Sequence, residues 1–289
     1  MTPPIVGLIG AGSVGSRMAH LLLDAGVTLN VFDVSPKAVA ALSSKGAHVR
    51  QSAAELCADV DIVVLSLPNS LIVDSVVLGD DGALSAMRPG AVLVDMSTSL
   101  PQHTLTIVDE AIARGVRVLD APISFGPDGM IVFVGGEHET YTECEWLFDI
   151  VSYQSFHVGP NSHGHYVKLV QNLLSGAFTG VVGEAVGYAQ RAGLDLHAMC
   201  VALQHTAAQS PAVERTMPKM IAGEYGDGGT LAMHLKDTRY ALETGKALGA
   251  RMPFTQALET AFAGALERGN RHWAQTGVVT WFEQADDVN

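Results

Sequence analysis

The sequence is poor in cysteine and in basic residues, and both shortages exclude classes of protein. Three cysteines, far apart and odd in number, supply neither a disulfide framework nor a CxxC metal site. Seventeen lysines and arginines stand against thirty acidic residues, giving a formal net charge of −13. This balance argues against nucleic acid or an anionic membrane as a partner. We therefore expect an acidic globular protein from a reducing compartment.

Long apolar runs are missing as well. A membrane-spanning helix needs about 18 or more consecutive apolar residues, and no such run occurs. The first residues enter a strand pattern without a basic segment before it. Of the 289 residues, 48% are hydrophobic, which is enough to bury a sizeable core in one large domain or two ordinary ones. We expect a cytoplasmic protein.

A glycine-rich turn follows the first apolar strand pattern. Gly10 permits a tight turn, Gly12 lets the backbone approach a pyrophosphate, and Gly15 allows the next helix to pack closely on the strand. A second strand ends in Asp33, at about the 20-residue distance where an acid meets the adenosine ribose. The turn alone would also fit a purely structural role, but with Asp33 it predicts a dinucleotide site. The predicted contacts in the turn are Gly10, Ala11, Gly12, Ser13, Val14 and Gly15.

Asp33 also bears on the choice of cofactor. A carboxylate accepts hydrogen bonds from ribose hydroxyls and repels a 2′-phosphate, whereas a 2′-phosphate site favours an arginine just after the strand. No arginine stands there, and Lys37 is interpreted as an exposed residue in the first turn of the next helix. The sequence therefore predicts NAD rather than NADP.

Strand and helix patterns alternate through the first 162 residues, and strands such as 61–67 are almost wholly apolar. Apolar strands between helices indicate a parallel sheet covered on both faces, so we expect an α/β domain with a doubly wound, Rossmann-type sheet. Ligands bind such sheets at the carboxyl edge. Pro68 and Thr98 follow two strands at this edge, and Ser124 and Gly126 follow a third with donors suited to a carboxylate. For each of them a plain turn is the competing interpretation.

From residue 163 the strand patterns stop and long helical patterns follow. We place a dinucleotide-binding domain at 1–162 and an all-helical substrate and oligomerisation domain at 163–289. Glycines at every third or fourth position from Gly176 to Gly187 suggest close helix packing, within the chain or between subunits, and we expect a homo-oligomer, either a dimer or a tetramer. The predicted helices span 163–192, 196–207, 212–222, 230–248, 254–268 and 273–284.

The stretch at this boundary, residues 159–172, reads GPNSHGHYVKLVQN. Lys168 and Asn172 are four positions apart, so on a helix the amine and the amide lie on one face. Alone, the pair would fit an exposed polar face. His157, His163 and His165 suggest a metal site at first sight. Without a nearby acid or cysteine partner they are interpreted as surface or hinge residues, one of which could contact substrate, and no metal is predicted.

Four motifs in this order resemble the beta-hydroxyacid dehydrogenases, the family that includes 3-hydroxyisobutyrate dehydrogenase and tartronate semialdehyde reductase. They are the glycine turn at 10–15, DAPxS at 120–124, GxxxxGxxxKxxxN at 159–172, and Lys236 with Asp237. The resemblance covers nearly the whole chain. It implies an NAD(P)-dependent oxidoreductase acting on a small beta-hydroxy acid or on the corresponding semialdehyde or oxo acid.

The resemblance also implies roles for single residues. Lys168 becomes the catalytic general acid/base with Asn172 as its helper. The substrate carboxylate is expected at Ser124 and Gly126, next to Phe125, which replaces a usual glycine in a loop that is shorter than usual. Both changes bear on which acid is bound. Further cofactor contacts are implied for Leu67, Pro68, Thr98 and Lys236.

A lysine in this role has to lose its proton near neutral pH. Free lysine titrates near 10.4, so its pKa must fall by about 2 to 3 units, which burial beside a positive nicotinamide ring favours. Two rival functions stay open: an imine reductase or related reductase with an unusual substrate, and a non-catalytic nucleotide-binding regulatory module. The first typically lacks the lysine. The presence of Lys168, Asn172 and Ser124 together argues against the second.

Overall fold

The computed structural model describes residues 4–226, 228–269 and 272–283. The chain divides into two compact units, one ending at Lys168 and the other beginning at Leu169. The first unit contains a sheet with helices, and the described part of the second contains helices joined by short turns. This is the α/β domain followed by an all-helical region that the sequence predicts.

The described strands of the first unit form one nine-stranded sheet. In chain order the strands are β1 (Val6–Ile9), β2 (Leu29–Phe32), β3 (His48–Val49), β4 (Ile62–Leu65), β5 (Val92–Asp95), β6 (Arg117–Asp120), β7 (Ile123–Gly126), β8 (Gly129–Gly135) and β9 (Gln154–Gly159). Their order across the sheet is β3-β2-β1-β4-β5-β6-β8-β7, and β9 also pairs with β8. In this order, the strands from β3 across to β6 are all parallel, whereas β8 runs antiparallel to β6 and β7.

The central strands are buried on both faces because side chains alternate along each strand. On β4, Val64 joins one hydrophobic cluster, while Val63 and Leu65 join the other. Burying each such side chain stabilises the fold by about 1.5–3 kcal/mol. Both clusters are completed by helices: α1 (Ser13–Asp24), α2 (Pro36–Ser43), α3 (Ala53–Cys57), α4 (Ser70–Leu78), α5 (Ala83–Ala86), α6 (Pro101–Ile112) and α7 (His138–Val151).

Two parts of the first unit differ from the sequence interpretation. Residues 70–86, to which the sequence assigned no element, form α4 and α5. The Asn69 side chain caps α4 by accepting a hydrogen bond from the backbone N–H of Ile72. The segment 123–126, for which a plain turn was the competing interpretation, is instead β7, which pairs with β8 through a tight hairpin at Gly129. This strand has only four residues and ends in a glycine, so its sequence is too short to distinguish a strand from a loop.

The second unit is built around α8 (His163–Arg191), which begins in the first unit and continues beyond Leu169. Among the described residues, no helix has both the length and the apolar composition needed to cross a membrane. The other helices are α9 (Leu196–Leu203), α10 (Met217–Ile221), α11 (Leu231–Ala247), α12 (Pro253–Arg268) and α13 (Val279–Phe282), with a π-helical turn at Ala212–Thr216 and a 3₁₀ turn at Gln275–Val278.

Three of the predicted helices are shorter or less regular than expected. The helix predicted at 196–207 ends at Leu203. The one predicted at 212–222 is a π-helical turn followed by α10, whose second residue is Pro218. Proline has no N–H to donate, so a regular α-helical hydrogen bond is lost there. The predicted final helix contains only a 3₁₀ turn and α13, and Gln284, where it was expected to end, lies outside the described residues.

The glycines of α8 pack against helices of the same chain. A Cβ on Gly180 would lie 2.8 Å from Leu258 of α12, and a Cβ on Gly187 would lie 2.7 Å from the carbonyl oxygen of Phe282 in α13. Atoms approach this closely only when the side chain is absent. Of the two explanations for the glycine spacing, packing within the chain is therefore the correct one.

Gly187→Ala should lower the free energy of unfolding by up to about 2 kcal/mol. The new methyl group would press on backbone, which costs about 1–3 kcal/mol and outweighs the gain of about 1 kcal/mol in helix propensity. Gly176→Ala is the matched control, because its Cβ would meet side chains and no backbone: the flexible end of Leu258 at 3.1 Å and the ring of Phe262 at 3.5 Å. Thermal and denaturant unfolding of both variants checks this, and equal stability of the two would contradict the packing.

Candidate active site

The glycine turn lies between β1 and α1, and close packing requires two of its three glycines. Gly10 has a φ of +97°, and a Cβ on it would lie 2.3 Å from the carbonyl oxygen of Ser66. A Cβ on Gly15 would lie 2.0 Å from the carbonyl oxygen of Gly10. Gly12 is exposed, and a Cβ there would meet nothing within 4 Å. Close packing thus requires glycine at positions 10 and 15, whereas Gly12 leaves open space in front of α1.

The N-terminus of α1 faces that space without a side-chain cap. Gly12 is the N-cap residue and makes no side-chain hydrogen bond to the first turn. The first amides of a helix carry a partial positive charge and have no partners within the helix. A phosphate group therefore fits here.

Asp33 lies at the end of β2, beside the turn. Its carboxylate accepts hydrogen bonds from the backbone N–H of Ala11 at 2.6 Å and from that of Ser35 at 2.7 Å. Each carboxylate oxygen has a second lone pair, so the fixed group can still accept from ribose hydroxyls. An acid next to an uncapped helix start fits a nicotinamide dinucleotide, with the pyrophosphate at Gly12 and the ribose at Asp33.

The loops after β4 and β5 are joined at the carboxyl edge of the sheet. Ser97 connects them, because its hydroxyl oxygen accepts from the backbone N–H of Leu67 at 3.0 Å. Asp95 holds the second loop by accepting from the backbone N–H of Ser97 and from the hydroxyl of Ser99, both at 2.9 Å. The sequence interpretation selected Leu67, Pro68 and Thr98 in these loops. It missed that Asp95 and Ser97 fix their backbone.

Asp120, the last residue of β6, holds the beginning of α8. Its carboxylate accepts from the backbone N–H of Ser162 at 2.7 Å and from that of His165 at 3.0 Å. Asp120 is fully buried, and burial raises the pKa of its carboxyl group, an effect that His165 and the two amides oppose. The motif DAPxS was read for its serine, so this role of the aspartate was missed.

His165 is fully buried, so its interpretation as a surface or hinge residue is wrong. Its Nδ1 lies 2.8 Å from the hydroxyl oxygen of Thr104, and its Nε2 lies 3.2 Å from the carbonyl oxygen of Ser97. Ser162 has a φ of +76°, which turns the chain so that His165 faces inward while His163 is exposed. A spacing of two residues cannot show which histidine faces inward.

The described residues contain no group of three or more histidine, cysteine, aspartate or glutamate side chains placed to hold a metal ion. His157, the third of the histidines that suggest a metal site at first sight, makes a hydrogen bond of 2.8 Å to the carbonyl oxygen of Gly136. Its ring stacks on Tyr141, with centroids 5.4 Å apart.

The predicted substrate loop lies in the hairpin of β7 and β8. Ser124 and Phe125 are neighbours on β7, so their side chains point to opposite faces of the strand. Phe125 is 58% exposed, and the guanidinium carbon of Arg17 lies 5.8 Å from the centre of its ring. The phenyl ring therefore extends toward α1, the helix that follows the glycine turn.

Lys168 is half-buried on α8, three residues after His165 and so on the adjacent turn. In the second unit, the buried amide of Asn172 donates a hydrogen bond of 2.6 Å to Asp237. Lys236 places its Nζ 3.1 Å from the other carboxylate oxygen of Asp237. The sequence interpretation selected Asn172 and Lys236 but assigned no role to Asp237, the residue that both of them contact.

A surface cavity of about 500 Å³ lies at the opposite, amino edge of the sheet. None of the predicted site residues lines it. Its two arginines, Arg88 and Arg117, are paired with Asp61 and Glu143. The residues selected for chemistry in the first unit lie at the carboxyl edge instead.

Two family models match the chain in succession. Residues 5–159 match the NAD binding domain of 6-phosphogluconate dehydrogenase. Residues 162–282 match the domain described as NAD-binding of NADP-dependent 3-hydroxyisobutyrate dehydrogenase. Together they account for the α/β part of the chain and for most of its helical part.

Characterised relatives cover almost the full length. The chain is 32% identical over 290 residues to 2-(hydroxymethyl)glutarate dehydrogenase of Eubacterium barkeri, which covers 98% of this chain and 96% of that protein. It is 30% identical over 270 residues to 3-hydroxyisobutyrate dehydrogenase of Pseudomonas aeruginosa, with 89% and 91% covered. The crystal structure of 3-hydroxyisobutyrate dehydrogenase from Salmonella typhimurium superposes with a TM-score of 0.82 at 28% identity, covering 95% of this chain and 98% of that one.

The resemblance inferred from the four motifs is thus confirmed. The glycine turn, the acid after β2 and the length of the matches agree, and the chain belongs to the beta-hydroxyacid dehydrogenase family, NAD(P)-dependent oxidoreductases that act on the hydroxyl groups of hydroxy acids.

Proposed function

We propose that Lys168 is the general acid/base for the interconversion of a small beta-hydroxy acid with its semialdehyde or oxo acid. One observation carries the proposal. The helix that presents Lys168 begins at the carboxyl edge of the sheet, where Asp120 holds it to β6 and His165 holds it to the loop after β5. Ligands of doubly wound sheets bind at this edge. The half-buried amine of Lys168 lies three residues after His165, a position suited to proton transfer to a substrate bound at this edge.

The remaining site residues have supporting roles. Bound nicotinamide supplies the group that accepts or donates the hydride. In oxidation, Lys168 Nζ takes the proton of the substrate hydroxyl, and in reduction it returns a proton to the forming alkoxide. Ser124 and Gly126 hold the substrate carboxylate, and Asn172, oriented by Asp237, assists at the substrate hydroxyl. Leu67, Pro68, Thr98 and Lys236 contact the cofactor.

Activity can be found with a panel of hydroxy acids. 3-Hydroxyisobutyrate, L-serine and 2-(hydroxymethyl)glutarate differ in size and in the number of carboxylates, and each is assayed with NAD and with NADP by absorbance of the reduced cofactor. A signal with any of them identifies the substrate class. Silence across the panel, despite tight cofactor binding, would favour the regulatory-module alternative.

Lys168→Ala should lower kcat by about 10²–10⁴-fold, the usual contribution of a general acid/base. Binding of NADH, followed by its fluorescence, should change little. Lys246→Ala, at an exposed lysine in the last turn of α11, is the matched control and should retain normal turnover. A Lys168→Ala enzyme with near-normal kcat would reject the assignment.

NAD is the proposed cofactor, in preference to NADP. The carboxylate of Asp33 is held in place by the amides of Ala11 and Ser35. A fixed negative charge at the ribose repels a 2′-phosphate. The residues that follow, Val34, Ser35, Pro36 and Lys37, provide one exposed cation and no arginine.

Asp33→Asn should therefore raise the ratio of kcat/KM for NADP to that for NAD about tenfold, equivalent to about 1.4 kcal/mol. Removal of the charge relieves repulsion of the phosphate while one amide acceptor is kept. Lys37→Ala tests the alternative that this lysine binds a 2′-phosphate. If Lys37→Ala lowered NADP use in the parent enzyme and Asp33→Asn left the ratio unchanged, the proposed preference would be wrong.

We also propose that the protein is a homo-oligomer. The glycines of α8 face α12 and α13, and the opposite side of the helix carries exposed apolar residues at helical spacing. A second copy of the chain would cover this apolar stripe, since contiguous exposed apolar surface marks an interface. The stripe consists of Val170, Leu174, Phe178, Val181 and Tyr188.

Phe178→Glu combined with Val181→Glu should convert the oligomer to monomer, because two charges cannot be buried in an apolar contact. Light scattering coupled to size-exclusion chromatography measures the mass. Ile112→Glu, at an exposed isoleucine on α6, is the matched control and should leave the mass unchanged. An unchanged mass in the double variant would move the interface elsewhere.

We keep the two predicted domains as proposed functional units: residues 1–162 bind the dinucleotide, and residues 163–289 serve substrate binding and oligomerisation.

The cytoplasm is the proposed location of the protein. All three cysteines are buried free thiols. Burial raises the pKa of the thiol of Cys57 to about 12 and that of Cys144 to about 11. Thiols with so little thiolate are unreactive, which agrees with a reducing compartment.

A further inference from the structure

The proposed function gives His165 no part in the reaction, yet its imidazole lies at the junction of three elements. It belongs to the first turn of α8. Its Nδ1 reaches the hydroxyl oxygen of Thr104 on α6, and its Nε2 reaches the carbonyl oxygen of Ser97 in the loop after β5. A fully buried polar ring in the core of a domain costs stability unless its nitrogens are paired.

The same hydrogen bonds continue into the loop after β4. Ser97 offers its carbonyl oxygen to His165 and its hydroxyl oxygen to the backbone N–H of Leu67. An unbroken series of contacts therefore runs from Leu67, a proposed cofactor contact, through Ser97 to His165. Lys168 follows three residues later on the same helix. The imidazole is thus the side-chain link between the cofactor loops and the helix of the proposed acid/base.

The backbone at the beginning of α8 is in close contact with two strands at Gly164. A Cβ on Gly164 would lie 2.5 Å from the carbonyl oxygens of Asp120 and Phe133, and a Cβ on Gly135 would lie 2.8 Å from the backbone nitrogen of Gly164. The helix backbone therefore lies directly on β6 and β8 at this point. The turn that follows is held by the hydrogen bonds of the His165 side chain to Ser97 and Thr104.

Two carboxylates also face the ring. Asp95 on β5 has an oxygen 3.8 Å from Nε2, and Asp120 on β6 has one 3.8 Å from Nδ1. The carbonyl oxygen of Ser97 requires a hydrogen on Nε2, because a carbonyl only accepts. The Thr104 hydroxyl can donate to Nδ1 or accept from it, because a hydroxyl does both. Both ring nitrogens are therefore paired.

We propose that His165 is a positioning residue, which holds the first turn of α8 against the cofactor loops through hydrogen bonds at both ring nitrogens and so sets the location of Lys168. The inference rests on the proposed function, in which Lys168 transfers the proton. His165 itself touches neither substrate nor cofactor. A displacement of about 1 Å in a reacting group can cost about 10²-fold in rate, so the loss of this link should appear in kcat.

The test compares His165→Leu with His165→Gln. Leucine fills space but pairs with neither Ser97 nor Thr104, and kcat per cofactor-binding site should fall about 30–100-fold. The NADH dissociation constant, measured by fluorescence, should change less than about threefold. Glutamine offers one donor and one acceptor, and it should retain at least about a third of the parent kcat. Sites are counted by NADH titration, so unfolded protein does not contribute.

A kinetic isotope effect separates positioning from a merely structural role. With substrate deuterated at the carbinol carbon, a misplaced acid/base makes the chemical step slower, so the isotope effect on kcat should increase in His165→Leu. A smaller folded fraction would leave it unchanged. His163→Leu is the matched control, since His163 is the exposed histidine of the same pair, and its kcat and isotope effect should equal those of the parent enzyme.

Three results would overturn the inference: parental kcat in His165→Leu, an unchanged isotope effect, or equal losses in His165→Leu and His165→Gln. Should His165→Leu fail to fold, Thr104→Val replaces it, because it removes the hydroxyl partner with little change in shape. In Thr104→Val, a several-fold lower kcat with a larger isotope effect supports the proposal, and parental values of both reject it.

Normal turnover in Lys168→Ala would reject the proposed function together with this inference. An inactive Lys168→Ala with a normal His165→Leu would reject the inference alone.

Discussion

The pairing of the Asp120 carboxylate with the two backbone amides at positions 162 and 165 is the contact on which the site depends. A carboxylate at the end of a buried strand supplies acceptors for a helix start that has no partners of its own. Burial raises the pKa of this group, while the amides and His165 oppose that effect. The sheet, its carboxyl-edge loops and the helix of Lys168 are thereby connected at one buried point.

Most of the fold could be predicted because its signals are local. The glycine turn, the apolar strands and the acid at position 33 lie close together in the chain, and their spacing reflects contacts across one strand, turn and helix. Elements without such a signal were missed. β7 has only four residues and ends in a glycine, α4 has no clear apolar face in its sequence, and the turn at Ala212–Thr216 departs from α-helical geometry where Pro218 approaches.

The site was predicted in part for the same reason. Lys168 and Asn172 belong to one helix, so their relation follows from helical spacing. The backbone amides that Asp120 accepts from and the Asn172 amide that Asp237 accepts from lie 42 to 65 residues away in the chain, and only the folded structure brings them together. His165 illustrates the limit most clearly, because nothing in the pattern HxH indicates which ring is buried between two strand ends.

The separation between Asp120 and the first turn of α8 also bears on the order of folding. The hydrogen bond from Ala11 to Asp33 spans 22 residues and lies within the first strands, whereas the bond from His165 to Asp120 spans 45. Loop-closure entropy delays contacts between distant residues. We therefore expect a chain emerging from the ribosome to form its glycine turn first and to fix the helix of Lys168 later, so that cofactor binding precedes turnover during maturation.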